Sequence, residues 1–336
     1  MIIHNNFPLK DFNTFGVDAS AARYIELYNK SDVEEFSEKI LNPAEQLLIL
    51  GGGSNVLFTD NFKGTVIHSA IDDSTILNED EANVYIEAGS GIEWDRFVEY
   101  TVTKAWGGIE NLSDIPGCVG AAPVQNIGAY GVEAKDTISS VKAFDLINKL
   151  WIEFSNTECE FGYRSSVFKK PESKNLLITH VTFKLSKLPV LNTSYGHLAT
   201  EFNKEKTKDI ASLRKVIKKI RASKLPSVSE IASAGSFFKN PVLIGEVFES
   251  LHSNYPEMPF YKQENNLFKI PAAWLIEQSG LKGYKSGQVG TFEKQPLVII
   301  NYGNASGKEI VDFSKNIQKK VFDKFGVSLE PEVCFV

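Results

Sequence analysis

The order of elements in the sequence predicts an α+β fold, and three observations carry that expectation. "LLITHVTFKL" (176–185) alternates, with Leu177, Thr179, Val181, Phe183 and Leu185 on one side, as a half-buried strand requires. Ile210, Leu213, Ile217 and Ile220 recur at helical spacing. Elsewhere strands and helices are mixed without the strict strand–helix–strand rhythm of a doubly wound sheet.

Taken along the chain, "SDVEEFSEKIL" opens with Ser31 and Glu34 at capping-box spacing, which predicts a helix start. "QLLIL" (46–50) runs into glycines and reads as a buried strand. "VYIEAG" (84–89) is a further strand, and "IEWDRFVEYTVTK" (92–104) puts Trp94, Phe97, Val98 and Thr101 on one helical face. "VKAFDLINKLWIEF" (141–154) reads as two strands around Asn148 and Lys149. On the helix through Ile210, the residues Arg214, Lys215, Lys218 and Lys219 cover the side away from the apolar stripe and are expected to be a solvated face. "SGKEIVDFSKNIQKKVFDKFG" has a capping box at Ser306 and Glu309 and a C-terminal stop at Gly326. "VSLEPEVCFV" (327–336) reads as the last strand.

Composition narrows the function classes. A chain of 336 residues holds two or three domains, and 43% apolar and 11% aromatic content suffices for substantial cores. A net charge of −6 argues against a general nucleic-acid binder. Three scattered cysteines, Cys118, Cys159 and Cys334, with no CxxC pair, point to a reducing compartment, and no metal site is expected. "MIIHNNFPLKDFN" lacks the basic-then-apolar pattern of a secretory signal. The longest uncharged run, Ile115–Val132, holds two prolines and four glycines and cannot be a membrane helix. A soluble, cytoplasmic protein is expected.

Two glycine-rich segments carry the first functional signal. "LILGGGSNVLF" (48–58) is neither a Rossmann fingerprint, since its third glycine position falls on Val56, nor a Walker loop, since no lysine follows. Consecutive glycines can instead turn successive N–H groups into an anion-binding concavity, or simply make a tight turn. "IPGCVGAAPVQNIGAYGVE" (115–133) has no charge until Glu133 and is full of turn formers. Such a segment is expected to be buried, with backbone polar groups that need partners, either other loops or a large flat cofactor with many acceptors. Two such loops in one half of a chain fit a dinucleotide held by backbone groups.

With these motifs in hand, the chain resembles the UDP-N-acetylenolpyruvoylglucosamine reductase family. "TFGVD" (14–18), "FGYRSSVFK" (161–169), "AGSFFKNP" (234–241), "AAWLIEQSGLKG" (272–283) and "LEPEV" (329–333) join the two glycine loops in family order, so the resemblance covers nearly the whole chain. It implies an FAD-binding fold of the vanillyl-alcohol-oxidase type, made of two α+β subdomains, plus a C-terminal α+β substrate domain. The implied boundaries are 1–68 with the C-terminal strand 327–336, then 69–206, then 207–326. Some oxidases of that superfamily hold flavin through a histidine in the first loop; the matching position here is Ser54, which implies non-covalent FAD. The implied cofactor contacts are Gly51, Gly52, Gly53, Ser54, Asn55, Pro116, Gly117, Cys118, Gly120, Ala121, Gln125, Asn126, Gly128, Tyr130 and Gly131. Ala121 and Ala122 stand where relatives can carry serine, and "GYKSGQVGTFEKQ" (283–295), with Phe292, departs from the family's usual run.

The reaction implied by the resemblance passes hydride from NADPH to flavin and then to the methylene carbon of an enolpyruvyl ether on a nucleotide sugar. An enolate-like species results, which needs electrostatic stabilisation and then a proton. Arg164 offers a fork of donors to its carboxylate or enolate oxygen. Glu332 resembles the second polarising group, either protonated towards the enolate or orienting Arg164. Glu330, two residues away, is the obvious confusion. Ser236, after the small Ala234 and Gly235, resembles the general acid, with Phe237 and Phe238 as packing anchors. Tyr163, Tyr195 of a closing loop, Lys224, Asn240, Tyr261, Lys282 and Gln295 resemble the substrate contacts. A monomer acting on a small molecule, with no nucleic-acid or membrane partner, is expected. Two rivals remain at this point. One is an FAD-dependent carbohydrate oxidase of the same superfamily; the other is a non-catalytic nucleotide-sugar sensor.

Overall fold

The computed structural model describes residues 1–227 and 230–336. They form two compact units: Met1–Phe7, Ala21–Gly53 and Phe62–Arg221 make the first, and Pro8–Ser20, Ser54–Asn61 and Ala222–Val336 the second.

The first unit contains two sheets. One orders Ile2–Pro8, Ser20–Leu27, Phe62–Ser69 and Leu47–Leu50, and its last three strands run parallel. Ile25, Leu27 and Ile67 from this sheet bury themselves with Val33 and Phe36 of the following helical segment. That segment begins as the helix Lys30–Glu35, capped by Asn29, whose side chain accepts the Asp32 N–H at 2.9 Å. The expected Ser31–Glu34 box is not used, because the chain already enters the helix at the extended Asn29.

The second sheet is antiparallel in the order Leu150–Ser155, Ile138–Asp145, Leu176–Ser186, Asn83–Gly89 and Ser74–Glu79. Lys149, with φ of 57°, turns the chain between the two strands expected around it. The strand Leu176–Ser186 is not one-sided as its alternation suggests. Leu177, Ile178, Thr179, His180, Val181, Thr182 and Phe183 are all buried. Leu177 joins the core under the first sheet, while Val181, Phe183 and Leu185 join a second core with Trp94, Phe97 and Val98 of the helix Trp94–Thr103. A central strand covered on both faces hides its polar residues in hydrogen bonds, as when Thr179 donates to Lys142 O at 3.3 Å.

The helix Ile210–Lys224 packs Leu213, Val216 and Ile217 on Leu198 and Phe202. This contact keeps the helix as far as Arg221 within the first compact unit. The opposite side is not a plain solvated face. Arg214 is only 6% exposed and forks onto Asp95 at 2.5 and 3.0 Å. Spacing along one helix cannot register a carboxylate brought in by another.

The second unit has an antiparallel sheet in the order Ala232–Ser236, Val298–Asn301, Val289–Thr291 and Lys285–Ser286. A three-stranded sheet pairs Val242–Ile244 with Leu267–Lys269 and Tyr261–Lys262. The helix Gly307–Phe325 lays Ile310, Phe313, Ile317 and Val321 on a core with Phe237, Phe238, Leu275 and Ile299. Its capping box at Ser306 and Glu309 is present, and Gly326 ends it with φ of 67°. "VSLEPEVCFV" contributes only Cys334–Phe335 as strand, parallel to Val56–Leu57. Pro331 cannot donate to a ladder, and the chain before it is tied by single bonds instead.

Gly307 begins its helix hard against the segment after Val56–Leu57: a Cβ there would lie 1.8 Å from Phe58 O. Neither backbone can yield without moving an element. Gly307→Ala is expected to cost about 3 kcal/mol, read as a lower Tm in thermal unfolding; an unchanged Tm would refute the contact.

Candidate active site

In the first unit the two glycine segments meet backbone to backbone. A Cβ on Gly52 would lie 2.9 Å from Gly117 Cα, and one on Gly51 would lie 2.8 Å from Cys118 Sγ. A Cβ on Gly120 would lie 2.5 Å from Ser90 Cβ. Burial pushes the Cys118 thiol up, against the amides of Ala121, Gly52 and Gly120 that face its sulfur. The backbones of both segments therefore line one small region that, beside the Cys118 thiol, leaves no room for a Cβ on Gly51 or Gly52. Backbone bonds fix the second segment from below: Trp94 N–H donates to Gly117 O at 3.0 Å, Val119 N–H to Ile92 O at 2.9 Å and Gly120 N–H to Ser90 O at 2.9 Å.

The expected long buried loop 115–133 is more ordered than its composition suggests. It holds a 3-10 turn at Val119–Ala121 and a hairpin pairing Gly128–Ala129 with Val132–Glu133. Tyr130 and Gly131 form the two-residue turn with φ of 50° and 79°, the left-handed pair that matches the twist of a hairpin. Its burial is mixed: Cys118, Val119 and Asn126 are buried, while Pro116 and Gly131 are exposed. Asn126 works within the loop. Its side chain donates to Glu133 Oε2 at 3.0 Å and Gly162 O at 3.1 Å and accepts Lys135 N–H at 3.0 Å.

Arg164 comes to this loop from the turn closed by Gly162 and Ser165. It has φ of 53°, a conformation non-glycine residues rarely hold, and its Nη2 donates to Gly128 O at 2.8 Å. The guanidinium sits 5.5 Å from the ring centroid of Tyr163. Tyr195 meets Tyr130 edge-on at 6.1 Å. Its segment is held by Asn192, which donates to Gly131 O at 3.1 Å, and by Asn111, which donates to Tyr130 O and Asn192 O, both at 2.9 Å. Asn111 and Asn192 carry no motif that sequence reasoning could have singled out.

In the second unit Ser236 ends the strand Ala232–Ser236, opposite Val298, after a register shift. Gly235 has φ of 68° and nothing within 4 Å of a Cβ position, so the glycine is there for its backbone angle. Phe237 and Phe238 are buried and meet at 5.0 Å, the anchors expected of them. Glu332 N–H donates to Phe237 O at 2.8 Å, and Asn55 donates to Glu332 O at 3.2 Å. Ser236, Glu332 and Asn55 are thus on neighbouring stretches of backbone. Glu330 is not on a strand with Glu332; its carboxylate is exposed and pairs with Lys239 at 2.5 Å.

The remaining candidates of this unit are distributed over several elements. Asn240 Oδ1 accepts the Ala272 N–H at 2.9 Å and so holds the start of the helix Ala272–Gln278. Lys282 pairs with Glu277 at 2.7 Å. Tyr261 is exposed on its short strand with the Lys269 ammonium 6.0 Å from its ring, Lys224 is exposed, and Gln295 accepts Val298 N–H through its carbonyl at 3.0 Å. Phe292 packs with Val298 and Ile300, which explains an apolar residue where the family pattern differs.

Two backbones that meet this closely, with the space closed to a Cβ, suit a large flat group that packs against main chain rather than side chains, and the flavin of FAD is such a group. Among the described residues no cluster of three or more His, Cys, Asp or Glu could hold a metal ion. Among them, too, no helix is long and apolar enough to cross a membrane.

Comparison with known proteins agrees with this cradle. Residues 21–148 match the family profile described as FAD binding domain. The chain is thus a flavin-dependent oxidoreductase with an α+β fold. Residues 226–336 match the profile described as UDP-N-acetylenolpyruvoylglucosamine reductase, C-terminal domain. The UDP-N-acetylenolpyruvoylglucosamine reductase of Flavobacterium johnsoniae is 43% identical over 336 residues, covering 99% of each chain. That of Chromobacterium violaceum is 41% identical over 327 residues, covering 96% of each. The crystal structure of the Thermus caldophilus enzyme shares the fold, with a TM-score of 0.70 at 22% identity over 100% of this chain and 99% of the other. This chain belongs to the UDP-N-acetylenolpyruvoylglucosamine reductase family.

Proposed function

We propose that this protein reduces the enolpyruvyl ether of UDP-N-acetylglucosamine enolpyruvate to UDP-N-acetylmuramate, with FAD and NADPH, in peptidoglycan precursor synthesis. Full-length likeness to enzymes of that name supports the reading. The observation that carries it is the bond from Glu332 N–H to Phe237 O, which puts the carboxyl-bearing residue beside Ser236. Bound FAD supplies the hydride carrier between NADPH and the substrate. The backbone of the two glycine segments would hold it. Arg164, whose Nη2 is held by Gly128 O, offers its guanidinium to the substrate carboxylate as charge develops there. Ser236 gives its hydroxyl proton to the enolate carbon, a donation that runs downhill because that carbon is a strong base. Glu332 polarises the enolate or orients Arg164.

Tyr163, Tyr195, Lys224, Asn240, Tyr261, Lys282 and Gln295 form the nucleotide-sugar contacts in this reading, with Lys224 and Lys282 suited to a pyrophosphate. Asn240 and Lys282 would rearrange their present partners to do so. The three-part division at 68/69 and 206/207, a monomeric state and a cytoplasmic location belong to the same reading. An oxidase would have no use for Ser236 with Glu332, and a sensor no need to keep Arg164, so both rivals are less favoured.

Purified protein should be yellow, bleach anaerobically with NADPH, and regain colour on addition of the enolpyruvyl sugar nucleotide. Bleaching without recovery would favour the oxidase; protein unable to take up FAD would favour the sensor.

A further inference from the structure

The first unit holds a charge cluster that the reaction does not use. Asp95, one residue inside the helix Trp94–Thr103, accepts four hydrogen bonds. Its Oδ1 takes Asp114 N–H at 2.6 Å and Arg214 Nη1 at 2.5 Å; its Oδ2 takes Arg214 Nη2 at 3.0 Å and Lys218 Nζ at 3.2 Å. Burial alone would raise the Asp95 carboxyl, but the Arg214 fork and the Asp114 amide hold it down at about 2. Arg221, one turn further along the same helix, donates from Nε to Asp114 O at 3.2 Å.

Two of these bonds reach the residue that launches the second glycine segment: Asp114 donates its N–H to Asp95 and its carbonyl accepts from Arg221. Asp114 has φ of 63°, in the sparsely populated left-handed region, and Ile115, Pro116 and Gly117 follow directly. Backbone bonds secure the segment from Gly117 to Gly120, but Asp114 is secured by Asp95 and Arg221 alone among the bonds given above. A planar fork on a carboxylate fixes direction as well as distance, which a lysine or an apolar pair would not. A half-buried ion pair adds little net stability compared with apolar packing, so its use here is geometric.

We propose that Asp95 and Arg214 are positioning residues for the flavin. They lock the Asp114 turn and thereby set the angle at which the Gly117–Gly120 amides meet Gly51–Gly53. The proposal rests on the reading of the chain as a flavoenzyme, and it places a determinant of cofactor affinity outside the two glycine segments.

The test is FAD binding to deflavinated full-length protein, followed by quenching of flavin fluorescence well below the unfolding temperature. Asp95→Asn keeps an oxygen for the Asp114 N–H but removes the charge, and Arg214→Met removes the fork. Both are expected to raise the FAD dissociation constant about tenfold or more, with Arg214→Lys recovering part of the loss. Amide exchange across 111–120 of the apoprotein should quicken in the same two variants. Val33→Ala, in the core under the first sheet, should lower Tm without changing FAD affinity. FAD affinity in Asp95→Asn and Arg214→Met within about twofold of wild type, or a loss no larger than Val33→Ala produces at equal Tm, overturns the proposal alone. Wild-type protein that takes up no FAD overturns the flavoenzyme reading and this proposal with it.

Discussion

Ser236→Ala will leave bleaching by NADPH within about twofold of wild type and slow the recovery of colour by substrate about 10²- to 10⁴-fold, the usual contribution of a positioned proton donor. The asymmetry follows from where the hydroxyl acts. Ser236 ends a strand at a half-buried position, and its neighbours Phe237 and Phe238 do the packing, so removing one oxygen leaves the core intact. Proton donation matters only after hydride has reached the substrate, so the NADPH half-reaction has nothing to lose. Stopped-flow absorbance of the two half-reactions under anaerobic conditions measures both rates in one preparation. Equal slowing of the two would assign Ser236 a structural role and remove it from the chemistry, whatever the fate of the family assignment.

Gly52→Ala will give a folded protein that binds FAD about 100-fold more weakly. The added methyl would lie 2.9 Å from Gly117 Cα and 3.4 Å from Gly117 C, against backbone rather than a side chain that could swing away. Relief requires the two glycine segments to part, and the two backbones then no longer form one continuous surface for the cofactor. Two misaligned hydrogen bonds to an anionic group are worth about 3 kcal/mol, or about two decades in affinity. Fluorescence titration of the apoprotein with FAD checks the loss, and thermal unfolding of the same apoprotein checks that the fold survives. A dissociation constant within about threefold of wild type would show that the contact between the segments does not shape the cradle.

These two residues stood out in the sequence because their constraints are local, while the role proposed for Ser236 comes from the family resemblance. Gly52 sits in a run of three glycines that no ordinary turn needs, and Ser236 in a crowd of small and large residues that suits neither a plain helix nor a plain strand. The capping box at Ser306 and Glu309 and the left-handed stop at Gly326 were legible for the same reason. Arg214 was not. Its neighbours in sequence are lysines on an exposed side, and the carboxylate that buries it comes from 119 residues away. Asn126 and Asn240 carried family expectations of ligand contact, yet their side chains hold a hairpin and a helix start, and no spacing rule distinguishes an amide that binds a ligand from one that ties two loops. The strand Leu176–Ser186 misled in the opposite way: alternation implies one wet face, and a second core covers it.

By itself the sequence determined the α+β class, the two side-chain-free glycine segments, the helix ends and the motif order that places the chain in its family, all of which depend on neighbours within a few residues. Tertiary structure alone decided that Asp95 meets Arg214, that Arg164 leans on Gly128 O, and that Glu332 N–H bonds Phe237 O. Those outcomes depend on which distant backbones come to within a hydrogen bond of each other, and that distance is set by packing rather than by any local preference of the chain.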